Sequence, residues 1–165
     1  MTPRYAFTFR SARQGDGAAV FEITQLSVDG LAPQHYTPEQ IAGWMGQRTP
    51  TFYEDLISRG NLVVAELEGR LVGFVDAEAG EVTRLFILPD VAGAGLGKQL
   101  LAIGIAKART GHAGPIKLES TINAEGFYRR HGFKPIGKGY FSHGLGGDPI
   151  AIVQMELPSE DATSF

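Results

Sequence analysis

The sequence predicts an α/β domain of the α+β type, with a mostly antiparallel sheet of about seven strands flanked by about four helices. Three short apolar runs follow one another between residues 61 and 88 and are separated by turn-forming pairs, which is typical of an antiparallel meander. Segments with helical periodicity precede and follow this meander. The predicted order of elements is β, α, α, βββ, α, β, α, ββ.

The composition is that of one globular domain, which we place at residues 1–157, with a polar tail at residues 158–165. A net charge of −3 argues against a broad nucleic-acid interface. The chain has no cysteine, which excludes disulfides and thiolate metal sites. Because it has neither a secretory signal nor an apolar run long enough to cross a membrane, we expect a cytoplasmic protein without nucleic-acid or membrane partners.

The first half of the chain predicts one strand and three helical segments. Residues 5–10 alternate between apolar and polar side chains, as a half-buried strand does. Asp16 is placed to cap the first helix. Thr37 is placed to cap the second, with Pro38 at its first position, where a missing N–H costs nothing. A third, short helical segment ends at Gly60.

Turn residues delimit the strands of the second half. Turns at Glu68–Gly69 and Ala79–Gly80 separate the three strands of the meander. After a long helix, a strand at residues 115–121, a short helix ending at Gly132 and two final strands complete the chain.

The long helix after the meander is amphipathic. Leu96, Leu100 and Ile103 fall on one face, which we expect to pack on the core. Gly104 lies inside this helix, where it costs about 1 kcal/mol relative to alanine. We therefore expect close packing against a strand at that position.

The glycine-rich turn at residues 93–97 predicts a site for a phosphate-bearing ligand. The first N–H groups of a helix lack partners and favour an anion, and glycines let the backbone approach a diphosphate. A P-loop is excluded because Ala92 stands where its first glycine belongs and Gln99 replaces the hydroxyl that holds magnesium. A dinucleotide fingerprint is weak because Lys98 occupies its third glycine position.

The same turn resembles the acyl-CoA loop of the GNAT N-acetyltransferases, Q/R-x-x-G-x-G/A, which follows a strand ending in V-x-P. Here the strand ends in Ile87-Leu88-Pro89, and the loop carries Gly95-Leu96-Gly97. The segment NAEGFYRRHGF resembles the family's late signature, and FRSARQGD resembles its first strand and helix entry. The element order is also the family's. The resemblance thus covers nearly the whole chain and implies the GNAT fold, with a central mixed sheet.

The resemblance implies acetyl-CoA as co-substrate, no metal, and an amine acceptor that is a small molecule or a peptide. It is also compatible with a homodimer. The cofactor is expected between the strand before the loop and the strand at residues 115–121. The residues implied to bind it come from that first strand, the loop, the helix start and the late signature: Leu85, Phe86, Ile87, Ala92, Gly93, Ala94, Gly95, Leu96, Gly97, Lys98, Thr121, Asn123 and Tyr128.

Two positions depart from the family pattern. Ala92 stands where a glutamine or arginine contacts the diphosphate, so the backbone from Gly93 to Lys98 must supply most of that binding. The asparagine usual seven residues before the tyrosine is Thr121, while Asn123 follows it. Either residue is therefore a candidate for contacting the cofactor.

The resemblance also implies catalytic residues. Tyr128 matches the family's general acid, and a phenol is protonated at neutral pH and can donate to a leaving thiolate. Glu81 matches the strand position from which some members supply a general base, with Asp76, Glu78, Glu119 and water as alternatives. A catalytically inactive CoA-binding sensor or interaction module is the alternative function, favoured by the loss of the loop side chain. An NAD-dependent oxidoreductase has no support from the fingerprint.

Histidines and aromatic residues carry weaker signals. No metal-ligand spacing links the four histidines, and the last is placed to border the acceptor site: His35, His112, His131 and His143. Four aromatic residues are expected mainly in the core, with some lining an acceptor cleft under the early helices: Phe21, Trp44, Phe52 and Tyr53.

Overall fold

The structure, a computed structural model, describes residues 6–31, 35–46, 48–141 and 150–159. In that part of the chain it has seven strands and five α-helices: β1 (Thr8–Ser11), α1 (Gly17–Leu31), α2 (Pro38–Met45), α3 (Pro50–Ser58), β2 (Leu62–Leu67), β3 (Arg70–Glu78), β4 (Glu81–Ile87), α4 (Leu96–Arg109), β5 (Ile116–Ser120), α5 (Glu125–Arg130), β6 (Lys134–Tyr140) and β7 (Ala151–Leu157). The predicted class and element types are confirmed. The helix count is one higher than expected because the short segment at α3 is a complete helix. Tyr5, His143 and residues 160–165 lie outside the described residues.

The strands form one mixed sheet in the order β1-β2-β3-β4-β5-β7-β6. The meander β2-β3-β4 is antiparallel, as predicted, and β4 with β5 is the parallel pair. The first meander turn has left-handed backbone at both Glu68 and Gly69, and the second has it at Gly80, with φ of 53°, 79° and 86°. Glycine tolerates this conformation without steric cost, which explains both turn predictions.

The parallel pair β4–β5 is joined at one end only. Glu81 is in register with Lys117, whose N–H donates to the Gly80 carbonyl at 2.9 Å, and no further register pair links the two strands. Beyond this point β4 and β5 diverge, while β5 pairs along its length with β7. A gap therefore opens in the middle of the sheet and widens toward the loop after β4.

Helix α4 packs on the sheet through two glycines. A Cβ at Gly104 would lie 2.8 Å from a Val75 methyl, and one at Gly73 would lie 3.0 Å from a Leu100 methyl. Leu96 and Leu100 are 1% and 0% exposed, so the predicted apolar face and the close approach at Gly104 are confirmed. Because side chains alternate along a strand, Phe74 faces away from α4, where it contacts Phe86.

The start of α1 differs from the prediction in one respect. The helix begins directly after Asp16, but the Asp16 carboxylate accepts hydrogen bonds from the Arg10 side chain and the Arg13 N–H. Glu54 of α3 instead accepts from the Gly17 N–H at 2.8 Å. Asp16 thus occupies the expected N-cap position, where its carbonyl accepts from the Val20 N–H, but its carboxylate binds Arg10 and Arg13 instead of the helix.

The other helix boundaries agree with the sequence. Thr37 caps α2 in a reciprocal capping box with Gln40, and Pro38 occupies the first turn. Gly60 follows α3 with φ of 83°, and Gly132 follows α5 with φ of 95°. These ends are set by local chemistry, which explains why they could be predicted.

Candidate active site

A cavity of about 600 Å³ opens where β4 and β5 separate. The glycine-rich loop, the start of α4 and helix α5 line it, as do α1, α2, β7 and Phe141, which directly follows β6. Among the predicted cofactor-binding residues, all line the cavity except Ala94 and Leu96. Leu96 turns its side chain into the core, and Ala94 is half-buried within the loop. Thr121 and Asn123 both line the cavity, so the geometry does not choose between them.

The loop presents unpartnered backbone donors to this cavity. Gly93 and Gly95 both have φ of 85°, and a Cβ at either would meet no atom within 4 Å. Gly95 precedes α4 without a side-chain cap, and the first bond in the helix runs from the Gln99 N–H to the Gly95 carbonyl at 3.4 Å. The N–H groups of residues 96–98 therefore have no partner within the helix and form an anion-binding end.

The edge of β4 that faces the gap also carries backbone donors. The Leu88 N–H donates to the Val72 carbonyl at 2.9 Å, toward β3. Since N–H directions alternate along an antiparallel strand, Phe86 also points its N–H at β3, while Leu85 and Ile87 point theirs into the gap. Two of the three predicted strand residues thus offer N–H groups there.

Tyr128 lies in the cavity wall with its side chain almost fully enclosed. It is 8% exposed and packs edge-on against Phe127 and Phe133. Burial raises the pKa of Tyr128 to about 12, so the phenol is protonated at neutral pH. Its hydroxyl makes no hydrogen bond to any residue that the structure describes, which leaves the proton available to a ligand.

Of the four carboxylates considered as general bases, Glu119 lines the cavity and the others do not. Glu119 lies opposite Gln154 of β7, on the same strand face as Ile152. Glu81 lies at the joined end of β4 and β5, in register with Lys117. Asp76 is engaged with Arg84 at 3.0 Å, and Glu78 is exposed at the end of β3. The base role of Glu81 therefore stays a prediction without support from the cavity.

Arg84 lies in the site, which the sequence analysis missed, and a β-bulge directly precedes it in β4. Asp76 pairs with Arg84 and Ala77 with Val82, so Thr83 is an extra residue in β4. Val82 consequently packs near Gly104 of α4, whereas the Arg84 guanidinium lies over the Phe52 ring of α3 at 5.9 Å. The signal in the sequence was an arginine directly before the apolar residues 85–87 of this strand.

Arg84 is a buried cation in an aromatic surrounding. Burial is the largest influence on its pKa and lowers it, opposed by the attraction of Asp76 and reinforced by Arg48. Arg48 stacks on the same Phe52 ring at 5.4 Å and hydrogen-bonds the Tyr53 hydroxyl at 3.2 Å. Arginine keeps its proton at neutral pH even so, and Arg84 therefore carries a positive charge into the cavity wall.

The loop end of the cavity carries other cationic side chains. Lys98 and Arg130 both line it, and Arg130 was not identified from the sequence. His131 lines the cavity as well and packs edge-on against Phe127 at 4.7 Å. Ala92, which lacks the polar side chain expected in the loop, lines the same cavity.

The remaining aromatic and histidine residues named from the sequence differ in burial and in their position relative to the cavity. Tyr53 and Trp44 are buried, as expected, and Trp44 also lines the cavity. Phe21 and Phe52 are half-buried. His112 contacts the Pro115 carbonyl at 3.0 Å, outside the cavity.

The described ranges contain neither a candidate metal-binding cluster nor a candidate membrane span. Residues 6–31, 35–46, 48–141 and 150–159 hold no group of three or more acidic or histidine side chains suited to a metal ion. None of the helices in these ranges combines the length and the apolar character that a membrane span needs.

Known proteins resemble this chain in both sequence and fold. It is 29% identical over 132 residues to the peptidyl-lysine N-acetyltransferase YjaB of Salmonella typhimurium, spanning 78% of this chain and 84% of that protein. The fold matches a GCN5-related N-acetyltransferase from Rhodopseudomonas palustris with a TM-score of 0.84, at 21% identity over 96% of this chain and 98% of the other. It also matches PaiA N-acetyltransferase from Thermoplasma acidophilum in complex with coenzyme A, with a TM-score of 0.74 at 20% identity over 93% and 99%.

The family model described as the acetyltransferase (GNAT) domain matches residues 32–157, which is most of the chain and contains β4, the loop, α4 and Tyr128. The chain belongs to the GNAT acetyltransferase family.

Proposed function

We propose that this protein is an N-acetyltransferase that moves the acetyl group of acetyl-CoA to a primary amine by direct attack in a ternary complex. The observation that carries the proposal is the meeting of two features in one cavity. The backbone donors of the loop and α4 suit a diphosphate, and the protonated phenol of Tyr128 lines the same space. The coenzyme A bound to the related PaiA structure supports the choice of ligand.

The residues that hold the coenzyme follow from the chemistry of the cavity wall. The N–H groups of residues 96–98, with Lys98 and Arg130, bind the phosphates. Arg130 and Lys98 thereby compensate for Ala92, which lacks the polar side chain usual in the loop. Leu85 and Ile87 offer N–H groups to the pantetheine arm and to the thioester carbonyl, whose oxygen gains negative charge during attack.

Acetyl-CoA supplies an acetyl thioester, whose carbon–sulfur bond breaks as a carbon–nitrogen bond to the amine forms. Tyr128 donates its proton to the departing sulfur, which needs one to leave as a thiol. Glu119 accepts the proton that the amine must lose, directly or through water, because it is the candidate carboxylate that lines the cavity. No covalent enzyme intermediate is required, which suits a chain without cysteine.

Calorimetry and a thiol assay test the proposal together. Coenzyme A titrated into the protein should release heat with a stoichiometry of one, and acetyl-CoA with an accepted amine should release free thiol. The amine panel should include small amines, amino acids and a lysine-containing peptide, since the relative YjaB is named for peptidyl-lysine. Binding without turnover on the whole panel would support the inactive CoA-binding module. Absence of coenzyme binding would refute both functions.

A further inference from the structure

The acceptor side of the cavity contains a guanidinium that its protein partners do not satisfy. Arg84 is 8% exposed and lines the cavity. Its Nη1 donates to Asp76 Oδ2 at 3.0 Å. Its Nε is buried and has no hydrogen-bond partner, and Nη2 likewise has none among the residues that the structure describes. The ion pair with Asp76 thus engages Nη1, and the Nε–Nη2 edge of the guanidinium is left unused.

The unused edge has the shape that a carboxylate recognises, and because its Nε is shielded from solvent, a ligand in the cavity first meets Nη2. In arginine the Nε and Nη2 N–H groups point in nearly parallel directions along one side of the planar guanidinium. A carboxylate accepts from two such N–H groups at once, with both oxygens engaged. Asp76 approaches through Nη1, so it does not compete for that side.

Stability alone gives a poor reason for this arrangement. A buried donor without an acceptor destabilises a fold, and a well-packed apolar side chain serves structure as well as a buried ion pair does. Arg84 nevertheless lies in the cavity wall, on the face of β4 that points away from α4. A ligand that supplies an acceptor to Nη2 from the cavity accounts for a buried cation at this position.

The surroundings of Arg84 indicate what else such a ligand carries. Trp44, Phe86, Phe141 and Ile152 also line the cavity and belong to one apolar cluster. Their side chains are apolar, apart from the Trp44 Nε1, which is buried without a partner in the described chain. The cavity therefore suits a ligand that carries an apolar group.

We propose that Arg84 binds the carboxylate of the acceptor, and that the acceptor is therefore a small amino acid with an apolar side chain. This inference rests on the proposed acetyltransferase activity for the role of the amine, but the carboxylate site is argued independently of it. Glu119 lines the same cavity from β5 and provides the negative charge that a cationic amino group needs. One amino acid would thus engage Arg84 through its carboxylate and Glu119 through its amine.

Paired ligands test the proposal by equilibrium binding to the protein loaded with coenzyme A. Leucine, methionine and phenylalanine are each compared with their carboxamides, which keep the amine and the side chain but lose the negative charge. We expect each acid to bind on the order of tenfold or more tightly than its amide. Arg84→Gln should abolish that preference. Arg70→Gln is the matched control, because Arg70 forms a similar pair with Asp90 on the exposed surface, and it should keep the preference.

A second variant controls for misfolding of the first. Arg84→Gln leaves the buried Asp76 with the Thr83 hydroxyl but without a compensating positive charge. The double variant Asp76→Asn/Arg84→Gln removes both charges, and its melting temperature reports whether the fold persists. Equal binding of acids and amides, binding of neither, or a preference that survives in either Arg84 variant would overturn the proposal.

Thiol release distinguishes this proposal from the acetyltransferase activity. Turnover of amides or peptide lysines without any preference for acids would overturn the carboxylate site and leave the enzyme activity standing. Binding of acids through Arg84 without thiol release on any amine would refute the activity and support the carboxylate site.

Discussion

Replacing Tyr128 with phenylalanine separates the chemical role of its hydroxyl from its packing. The ring sits between Phe127 and Phe133, and its hydroxyl makes no hydrogen bond to the described residues. Phenylalanine keeps the ring and removes a polar atom that the protein does not use. We therefore expect the free energy of unfolding near pH 7 to change by less than about 0.5 kcal/mol. Turnover should nevertheless fall by roughly a hundredfold or more, the contribution typical of a general acid.

The pH dependence of the free energy of unfolding gives a second, independent measure of the burial of Tyr128. The pKa of Tyr128 is raised to about 12 in the folded protein, above the value near 10 of an unfolded chain. Between about pH 10 and 12 the unfolded state loses its proton first, so folding is weakened as the pH rises through this window. Two pKa units correspond to about 2 to 3 kcal/mol, and Tyr128→Phe should lose this dependence.

Urea denaturation at pH 7 and at pH 10–11.5, beside steady-state thiol release, measures both quantities. Tyr140→Phe is a matched control, because Tyr140 is 67% exposed and lies outside the cavity. Full turnover by Tyr128→Phe would refute the role as acid. A loss of turnover that is accompanied by an equal loss of stability at pH 7 would instead show that the ring packing had been disturbed.

Three further predictions concern the loop, the base and the packing of α4. Gly95→Ala should weaken coenzyme A binding on calorimetry by about tenfold, because its φ of 85° strains a side chain beside the phosphate site. Gly111→Ala has φ of 72° but lies outside the cavity, so it should lower the melting temperature only. Glu119→Gln should lower turnover at neutral pH by about tenfold or more, because it removes the proposed base. Glu81→Gln should leave turnover near the wild-type rate. A loss of turnover in the Glu81 variant alone would instead favour Glu81 as the base. Gly104→Ala should lower the free energy of unfolding by about 1 kcal/mol net. The clash of a Cβ 2.8 Å from a valine methyl should cost more than the gain in helix propensity provides. An unchanged urea unfolding curve would contradict this.

Elements with local signals could be predicted from the sequence. Thr37, Gly60 and the turns of the meander carry their own conformational reasons, and each lies where it was expected. Asp16 lies at the N-cap position as predicted, but its carboxylate binds Arg10 rather than the helix, and Glu54, distant in sequence, accepts from the Gly17 N–H. A tertiary hydrogen bond of this kind has no signature in the residues around the helix start.

The candidate site likewise contains residues that local motifs predicted and one residue, Arg84, that they did not. The loop glycines and Tyr128 belong to contiguous motifs, and the structure brings most of the predicted residues around one cavity. Arg84 was missed because a regular strand would have turned it to the same face as Val82, and the extra residue at Thr83 changes that face. Bulges depend on pairing across strands, which a single sequence does not display.

The separation of β4 from β5 has a consequence for the whole molecule. Four strands stand on one side of the opening and three on the other, and within the sheet Glu81 and Lys117 form the one register pair that joins the two groups. The proposed coenzyme, bound between β4 and β5, would contact both groups of strands. Its binding free energy would then add to the stability of the whole folded chain, because a ligand that binds only the native state stabilises it.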